Sequence, residues 1–359
     1  MKILILDDGN KGNLIQSLGI AENISDNMEI FPVVLKGPSY FLPGRKGTYK
    51  LTSKIIGFFL YFNLISISDF FLKISSNIKG INKKKFDIII SAGSYLAPLT
   101  AVLSASKKMF SVCIMTPEGT PLKFFNIIFV PKHDVLKHPH LKKNKNIIIT
   151  MGAPNRINQS ILKQWSIKLK EKTNLLENSY KIGIIIGGND QNYFIDKEFA
   201  DKIFTCLIYP LKKEKKNIGF LFTTSKRTPL DIVYILKEKT EKDSDFVYCE
   251  FPGLSHDSFY FGILGLSDIL FVTEDSVNMI SECCSTGSPV IILGVKRRKN
   301  KRIYFDETIK ELIEKNYCQY IPYEELGLLP EKIKKLKNRN FNRLNEAQTC
   351  AEIIKNKII

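Results

Sequence analysis

Residues 269–293 read ILFVTEDSVNMISECCSTGSPVIIL. The run 269–273 is apolar and β-branched, the pattern of a parallel strand buried on both faces. Glu274, Asp275 and Ser276 follow as an acidic turn fit to cap a helix. Gly287 and Pro289 end that helix, and 290–293 is a second buried strand. Strand, turn, helix and strand in this order belong to an open α/β sheet. In such sheets a ligand crevice forms where the carboxyl end of a strand meets the next helix N-terminus, whose free N–H groups favour phosphate. Asp275, Ser276, Asn278, Met279 and Glu282 hold the polar positions. Spacings of three and four put 275, 278/279 and 282 on one helix face. Glu282, two turns along, is in reach of ribose hydroxyls. The alternative is an ordinary crossover with a well-capped helix.

Upstream, the same plan recurs. The strand 218–223 runs into Thr224-Ser225-Lys226-Arg227-Thr228-Pro229, with Thr228 placed as N-cap, Pro229 as N1 and Asp231 as N3. Ser225, Lys226 and Arg227 at a strand's carboxyl end suit a diphosphate, Arg by its bidentate fork; otherwise they are a solvated basic loop. The strand 181–186 leads to Gly187-Gly188-Asn189-Asp190. A further strand is read at 246–251, followed by a loop through Ser255-His256-Asp257. The tail segments 310–315 and 330–359 are helical, basic and amphipathic.

The first half opens alike: an apolar strand 1–6, the loop Asp7-Asp8-Gly9-Asn10-Lys11-Gly12-Asn13, and a helix over 14–24. The loop lacks G-x-G-x-x-G, which disfavours a nicotinamide site. Gly9 and Gly12 either admit a ligand close to the backbone or make a tight turn. Further strands are read at 30–35, 86–90, 111–115, 127–130 and 146–150, with Ser91-Ala92-Gly93-Ser94 a small-residue turn. His133, Asp134, His138 and His140 lack zinc-site spacing, so a His133–Asp134 pair in a polar crevice is the better reading. Residues 151–156 read as an interdomain turn and 159–172 as a polar helix. The restart at Lys181 gives two similar halves.

At 359 residues the chain exceeds the ~250–300 at which single cores stop growing, which agrees with two domains. Seven cysteines without C-x-x-C pairing, mostly in apolar runs, point to a reducing compartment, and no signal peptide is read at MKILILDD. The net charge of +17 either attracts an anionic partner or reflects a Lys-, Ile- and Asn-rich composition. No nucleic-acid module is recognisable, so no nucleic acid is expected. The segment 54–73 is unusually aromatic. Its uncharged part, 55–68, falls short of the roughly 20 residues that span a bilayer, so it is a buried helix or an interfacial one flanked by lysines.

Six loops stand in order: Asp8-Gly9…Gly12…Gln16-Ser17-Leu18-Gly19; Ser91-Ala92-Gly93; Pro131…His133-Asp134 with Gly152-Ala153-Pro154-Asn155; Ile186-Gly187-Gly188; Ser225-Lys226-Arg227-Thr228-Pro229; and Val272-Thr273…Asp275-Ser276…Met279…Ser281-Glu282. Together they resemble the mitochondrial-fission, elongated-mitochondria-like family and its bacterial glycosyltransferase-like branch, over about residues 3–325. The resemblance implies a GT-B fold: two Rossmann-like domains with parallel sheets facing a central cleft, and C-terminal helices. It implies an N-terminal acceptor-side domain over 1–155, a linker helix over 156–178, a nucleotide-sugar domain over 179–330 and helices over 331–359.

It further implies a glycosyltransferase at the inner membrane face, cytoplasmic or peripheral, using a nucleotide sugar on an envelope glycolipid or glycan. No cofactor or metal is required. Asp8, His133 and Asp134 would be catalytic. Gly187, Gly188, Ser225, Lys226, Arg227, Thr228, Asp275, Ser276, Met279 and Glu282 would bind the nucleotide sugar. Gly9, Gly12, Asn13, Gln16, Ser91 and Gly93 would face the acceptor, and an anionic membrane would be a further partner. The rival readings are a non-catalytic scaffold at a membrane and a sugar-nucleotide epimerase. Asn13 stands where many family members carry His or Asp, and Lys226 where Arg is common.

Overall fold

The computed structural model describes residues 1–34, 45–78, 81, 84–173, 179–214, 217–254, 258–299, 303–334 and 340–358. The loop Ser255-His256-Asp257 therefore lies outside the described residues. The chain divides into two units, residues 1–156 with 345–359 and residues 157–344.

The first unit contains a six-stranded parallel sheet: β1 (Ile3–Asp7), β2 (Met28–Pro32), β3 (Ile88–Ala92), β4 (Phe110–Ile114), β5 (Ile127–Pro131) and β6 (Ile147–Thr150), in the order β2-β1-β3-β4-β5-β6. Strands β1, β3, β4 and β5 are largely apolar because both their faces are covered, while the edge strand β2 carries Glu29 and exposes Ile30. Leu4, Leu6, Ile89, Ile128 and Val130 pack on one side, while Ile3, Ile5, Ile88, Ile90 and Phe129 pack on the other. The strand edges differ slightly from the sequence reading: β2 begins at Met28 instead of 30, and β3 runs on through Ser91 and Ala92. The helix Glu346–Ile358 completes this unit, burying Cys350, Ala351 and Ile354 beside Leu18 and Ile20 of the helix Lys11–Glu22.

The second unit contains β7 (Tyr180–Ile186), β9 (Ile218–Thr224), β10 (Phe246–Glu250), β11 (Ile269–Thr273), β12 (Val290–Leu293) and β14 (Gln319–Ile321), all parallel and ordered β10-β9-β7-β11-β12-β14. Two short strands, β8 (Tyr193–Phe194) and β13 (Lys296–Arg297), pair antiparallel beside it. The helix Gln159–Lys172 packs here, its Leu169 buried with Leu221, Ile263 and Leu266.

The two sheets are wound differently. Counted within its own unit, the second sheet runs 3-2-1-4-5-6 and the first 2-1-3-4-5-6. Where the second unit adds β10 beyond β9, the first spends its chain on two helices, Arg45–Tyr61 and Ile65–Ser75. Strand order reverses between β7 and β11 in one unit and between β1 and β3 in the other, so the loops after those strands flank a crevice.

Candidate functional site

In the second unit the switch-point crevice is built from the loops after β7, β9 and β11. The first two meet backbone to backbone, and the third reaches them through the Asp275 side chain. A Cβ on Gly188 would lie 2.1 Å from the carbonyl carbon of Arg227, and one on Gly187 would lie 2.0 Å from Asp275 Oδ1. Only glycine fits at either position, because such separations fall far inside van der Waals contact.

The Asp275 carboxylate fills the space so created. Its Oδ1 accepts from Thr273 Oγ1 at 2.6 Å, and its Oδ2 accepts from Gly188 N–H at 2.9 Å and from Arg227 Nη2 at 2.7 Å. The Asp275 side chain is wholly buried while Arg227 remains 41% exposed. Burial raises the Asp275 pKa; the Thr273 and Gly188 hydrogen bonds and the Arg227 charge oppose that rise. Asp275 thus anchors one edge of the guanidinium. Among the described residues the rest of the fork has no partner. Lys226 is exposed and bonds to nothing among them.

Two expectations change here. Thr228 does not cap the helix Leu230–Glu241, whose N-cap is Pro229 without a side-chain bond. The Thr228 hydroxyl donates instead to Gly187 C=O and accepts from Ser225 N–H, stitching two crevice loops together. Nor does Asp275 sit on the helix stripe: the helix starts at Val277, and Asp275 turns back under Gly187. Ser276 does cap that helix, accepting from Met279 N–H at 3.4 Å. Ser276 and Met279 are half-buried.

Glu282 lies two turns along, buried, its Oε2 accepting from Tyr260 Oη at 2.9 Å. Burial pushes its carboxyl up to about 7, with the Tyr260 bond pulling the other way. Among the described residues its Oε1 has no partner. The sequence gives no sign of Tyr260, which comes from a different helix.

Two neighbouring carboxylates are structural. Glu274 holds Val295 N–H, Arg297 and Tyr320 Oη at 2.9, 3.1 and 3.1 Å. Glu250 accepts from Thr223, Ser258, Tyr248 and Phe259 N–H.

In the first unit the residues expected on the acceptor side divide. Asp8, Asn13 and Gly93 meet: Asn13 Nδ2 donates to Asp8 Oδ2 at 3.1 Å and would stand 2.9 Å from a Cβ on Gly93, whose φ is +89°. Asn10 caps the helix, accepting from Gly12 and Asn13 N–H, and Gly9 N–H donates to Asp7 Oδ1. Ser91 and Gln16 both lie in the interior. Ser91 Oγ accepts from buried Thr100 Oγ1 at 2.7 Å, and Gln16 is 5% exposed on the inner face of its helix.

His133 and Asp134 open the short helix Lys132–Lys137 after β5, with His133 Nε2 3.7 Å from Asp134 Oδ1. Burial lowers the His133 pKa, Asp134 raises it and Lys137 lowers it further. Asp134 also accepts from Thr116 Oγ1 at 2.9 Å. His138 and His140 line a groove of about 410 Å³ with Tyr61 and residues 116–122.

Two doubly wound units of parallel strands, each with glycine-bearing loops at its switch point, have the GT-B fold. The solved structure of UDP-GlcNAc 2-epimerase from Neisseria meningitidis, bound to UDP-GlcNAc, shares this fold with TM-score 0.58 at 12% identity, over 100% of this chain and 99% of that one. The family described as Mitochondrial fission ELM1 matches residues 11–358, and the chain belongs to that family. An uncharacterised protein of Rickettsia prowazekii (strain Madrid E) is 24% identical over 99% of this chain and 98% of its own. Mitochondrial fission protein ELM1 of Arabidopsis thaliana is 24% identical over 58% of this chain and 51% of its own.

Proposed function

We propose that this protein binds a nucleoside diphosphate sugar at the second unit's crevice and transfers its glycosyl group to a glycan or glycolipid acceptor. The observation that carries this is Arg227, anchored by buried Asp275 with the rest of its fork unpartnered among the described residues, beside the helix that Ser276 caps. A diphosphate fits that arrangement, since a fixed guanidinium and free N–H groups both select its oxygens. Glu282 Oε1, without a partner among the described residues, suits a ribose hydroxyl. A solved neighbour of the same fold is bound to UDP-GlcNAc.

In the transfer, an acceptor hydroxyl oxygen bonds to the sugar's anomeric carbon as the carbon–oxygen bond to the diphosphate breaks. The hydroxyl proton passes to a base, and the nucleoside diphosphate leaves, its charge met by Arg227 and Lys226. Within the first unit's own loops the candidate bases are Asp8, which accepts from Asn13, and His133, whose pKa burial lowers. Asn13, an amide, then acts as a positioning group and not as the base.

Calorimetry and thermal unfolding with a panel of nucleoside diphosphates test the binding step. A ligand at 100 times its Kd stabilises by roughly 2.7 kcal/mol. Arg227→Ala is expected to weaken binding roughly tenfold, about 1.5 kcal/mol, the low end for a charged hydrogen bond because the side chain is part-exposed. If no nucleoside diphosphate gives heat or raises the unfolding temperature, the reading fails. With binding established, transfer or hydrolysis of a nucleotide sugar identifies a transferase. A 2-epimer formed from the sugar nucleotide alone identifies an epimerase, and binding without turnover identifies a non-catalytic member.

A further inference from the structure

The helical hairpin of the first unit carries apolar side chains on its outer side as well as its inner one. The helix Arg45–Tyr61 buries Ile56 and Leu60 in the core, yet Leu51, Phe58 and Tyr61 are 49%, 58% and 60% exposed. At 3.6 residues per turn these three and Lys54 share one face. The helix Ile65–Ser75 buries Leu72 and exposes Ile67, Phe70 and Ile74 at 41%, 62% and 63%.

Their rings form one continuous set across both helices. Phe62 lies 5.1 Å from Phe58, Phe58 lies 5.9 Å from Phe59, Phe59 stacks on Phe71 at 5.2 Å, and Phe71 lies 6.4 Å from Phe70. A contiguous apolar surface of this kind marks an interaction face.

Charge identifies the partner. Among the described side chains of residues 51–75 the basic ones are Lys54 and Lys73, against one acidic, Asp69. Asp69 is already paired with Lys73 at 2.5 Å. Lys123 Nζ adds a further cation at the hairpin turn, 2.6 Å from Asn63 Oδ1. A second copy of this chain seated here would set one basic frame against another. An anionic lipid surface offers acyl chains to the rings and phosphates to the lysines together. Among the described residues no helix is long and apolar enough to cross a membrane, so the hairpin would lie along the surface.

We propose that the hairpin 45–75 docks the protein on an anionic bilayer, its phenylalanine rings entering the headgroup–acyl boundary. This stands apart from the reading of the crevice, and its test needs no nucleotide. The full-length protein is sedimented with vesicles of phosphatidylcholine alone and of phosphatidylcholine with 30% phosphatidylglycerol.

Partition to the anionic vesicles is expected, falling as salt rises. Lys54→Gln weakens it about fivefold, the share of one surface lysine. Phe58→Ser/Phe62→Ser abolishes it in a protein whose thermal unfolding is unchanged. Because both rings are exposed, that variant keeps its core. Equal recovery in the supernatant with both vesicle types overturns the proposal. So does equal, salt-independent binding to both. A dimer in sedimentation velocity that the double variant dissociates would assign the face to a second copy instead.

Discussion

At Glu282, burial and hydrogen bonding pull in opposite directions, and burial wins, lifting the carboxyl from 4.5 to about 7. A raised folded-state pKa stabilises fully below the unfolded value, and that contribution is lost as pH rises through the folded one. Ionised Glu282 should thus cost roughly 3 kcal/mol, at about 1.4 kcal/mol per unit. Glu282→Gln, which keeps an acceptor for Tyr260, is expected to match wild type in thermal unfolding at pH 4.5 and to exceed it at pH 8. The same variant should bind nucleoside diphosphates more weakly. A stability gap that does not vary with pH would show that the carboxyl is not held in its neutral form. The types of residue in this crevice were legible in the sequence, but their partners were not. Arg227 reads as a phosphate-binding group from its place after a strand; that Asp275 anchors it depends on a contact across 48 positions. Thr228 was read as a cap because the run Thr-Pro-x-Asp has that form locally. The hydroxyl oxygen instead accepts from Ser225 N–H while its proton goes to the Gly187 carbonyl.

Among elements, the parallel strands were the most legible, since burial on both faces leaves uninterrupted apolar runs such as ILFVT and VIIL. The helix Gln159–Lys172 has the bounds read for it. Two-residue strands such as β8 and β13 carry no periodic signal, and the π-helical turn Ile203–Ile208 has no sequence signature of its own. Strand order was invisible, because it depends on which edge each crossover reaches. Nothing local revealed that Glu346–Ile358 belongs to the first unit. There it buries Ile354, and Glu346 Oε1 accepts from Met151 N–H at 3.0 Å. Ile354→Ala is expected to cost about 2–4 kcal/mol through the cavity it leaves. Urea unfolding monitored by hydrogen exchange should place that loss in strands β1–β6 and spare β7–β14. A loss spread evenly over both sets would mean that the two units unfold as one.

For the whole molecule, the two-unit plan was legible in the restart at Lys181, as was the family, from motifs spread along the chain. Composition also bears on the thiols. Cys113, Cys283, Cys284, Cys318 and Cys350 are buried, and Cys206 and Cys249 are part-exposed. Burial pushes the Cys249 thiol up to about 12. An aromatic disulfide reagent at pH 8 should therefore label Cys206 first in the native protein, Cys249 slowly, and the remaining five only with denaturant. Rapid labelling of any of those five would contradict the packing. The chain leaves the first unit after Arg156 and returns to it at Asn345. During synthesis, all of the second unit therefore leaves the ribosome before the helix that closes the first. Until then Leu18 and Ile20 lack the cover of Cys350, Ala351 and Ile354, and the nascent first unit exposes apolar surface of the kind that chaperones hold. The half made first is the half that finishes folding last.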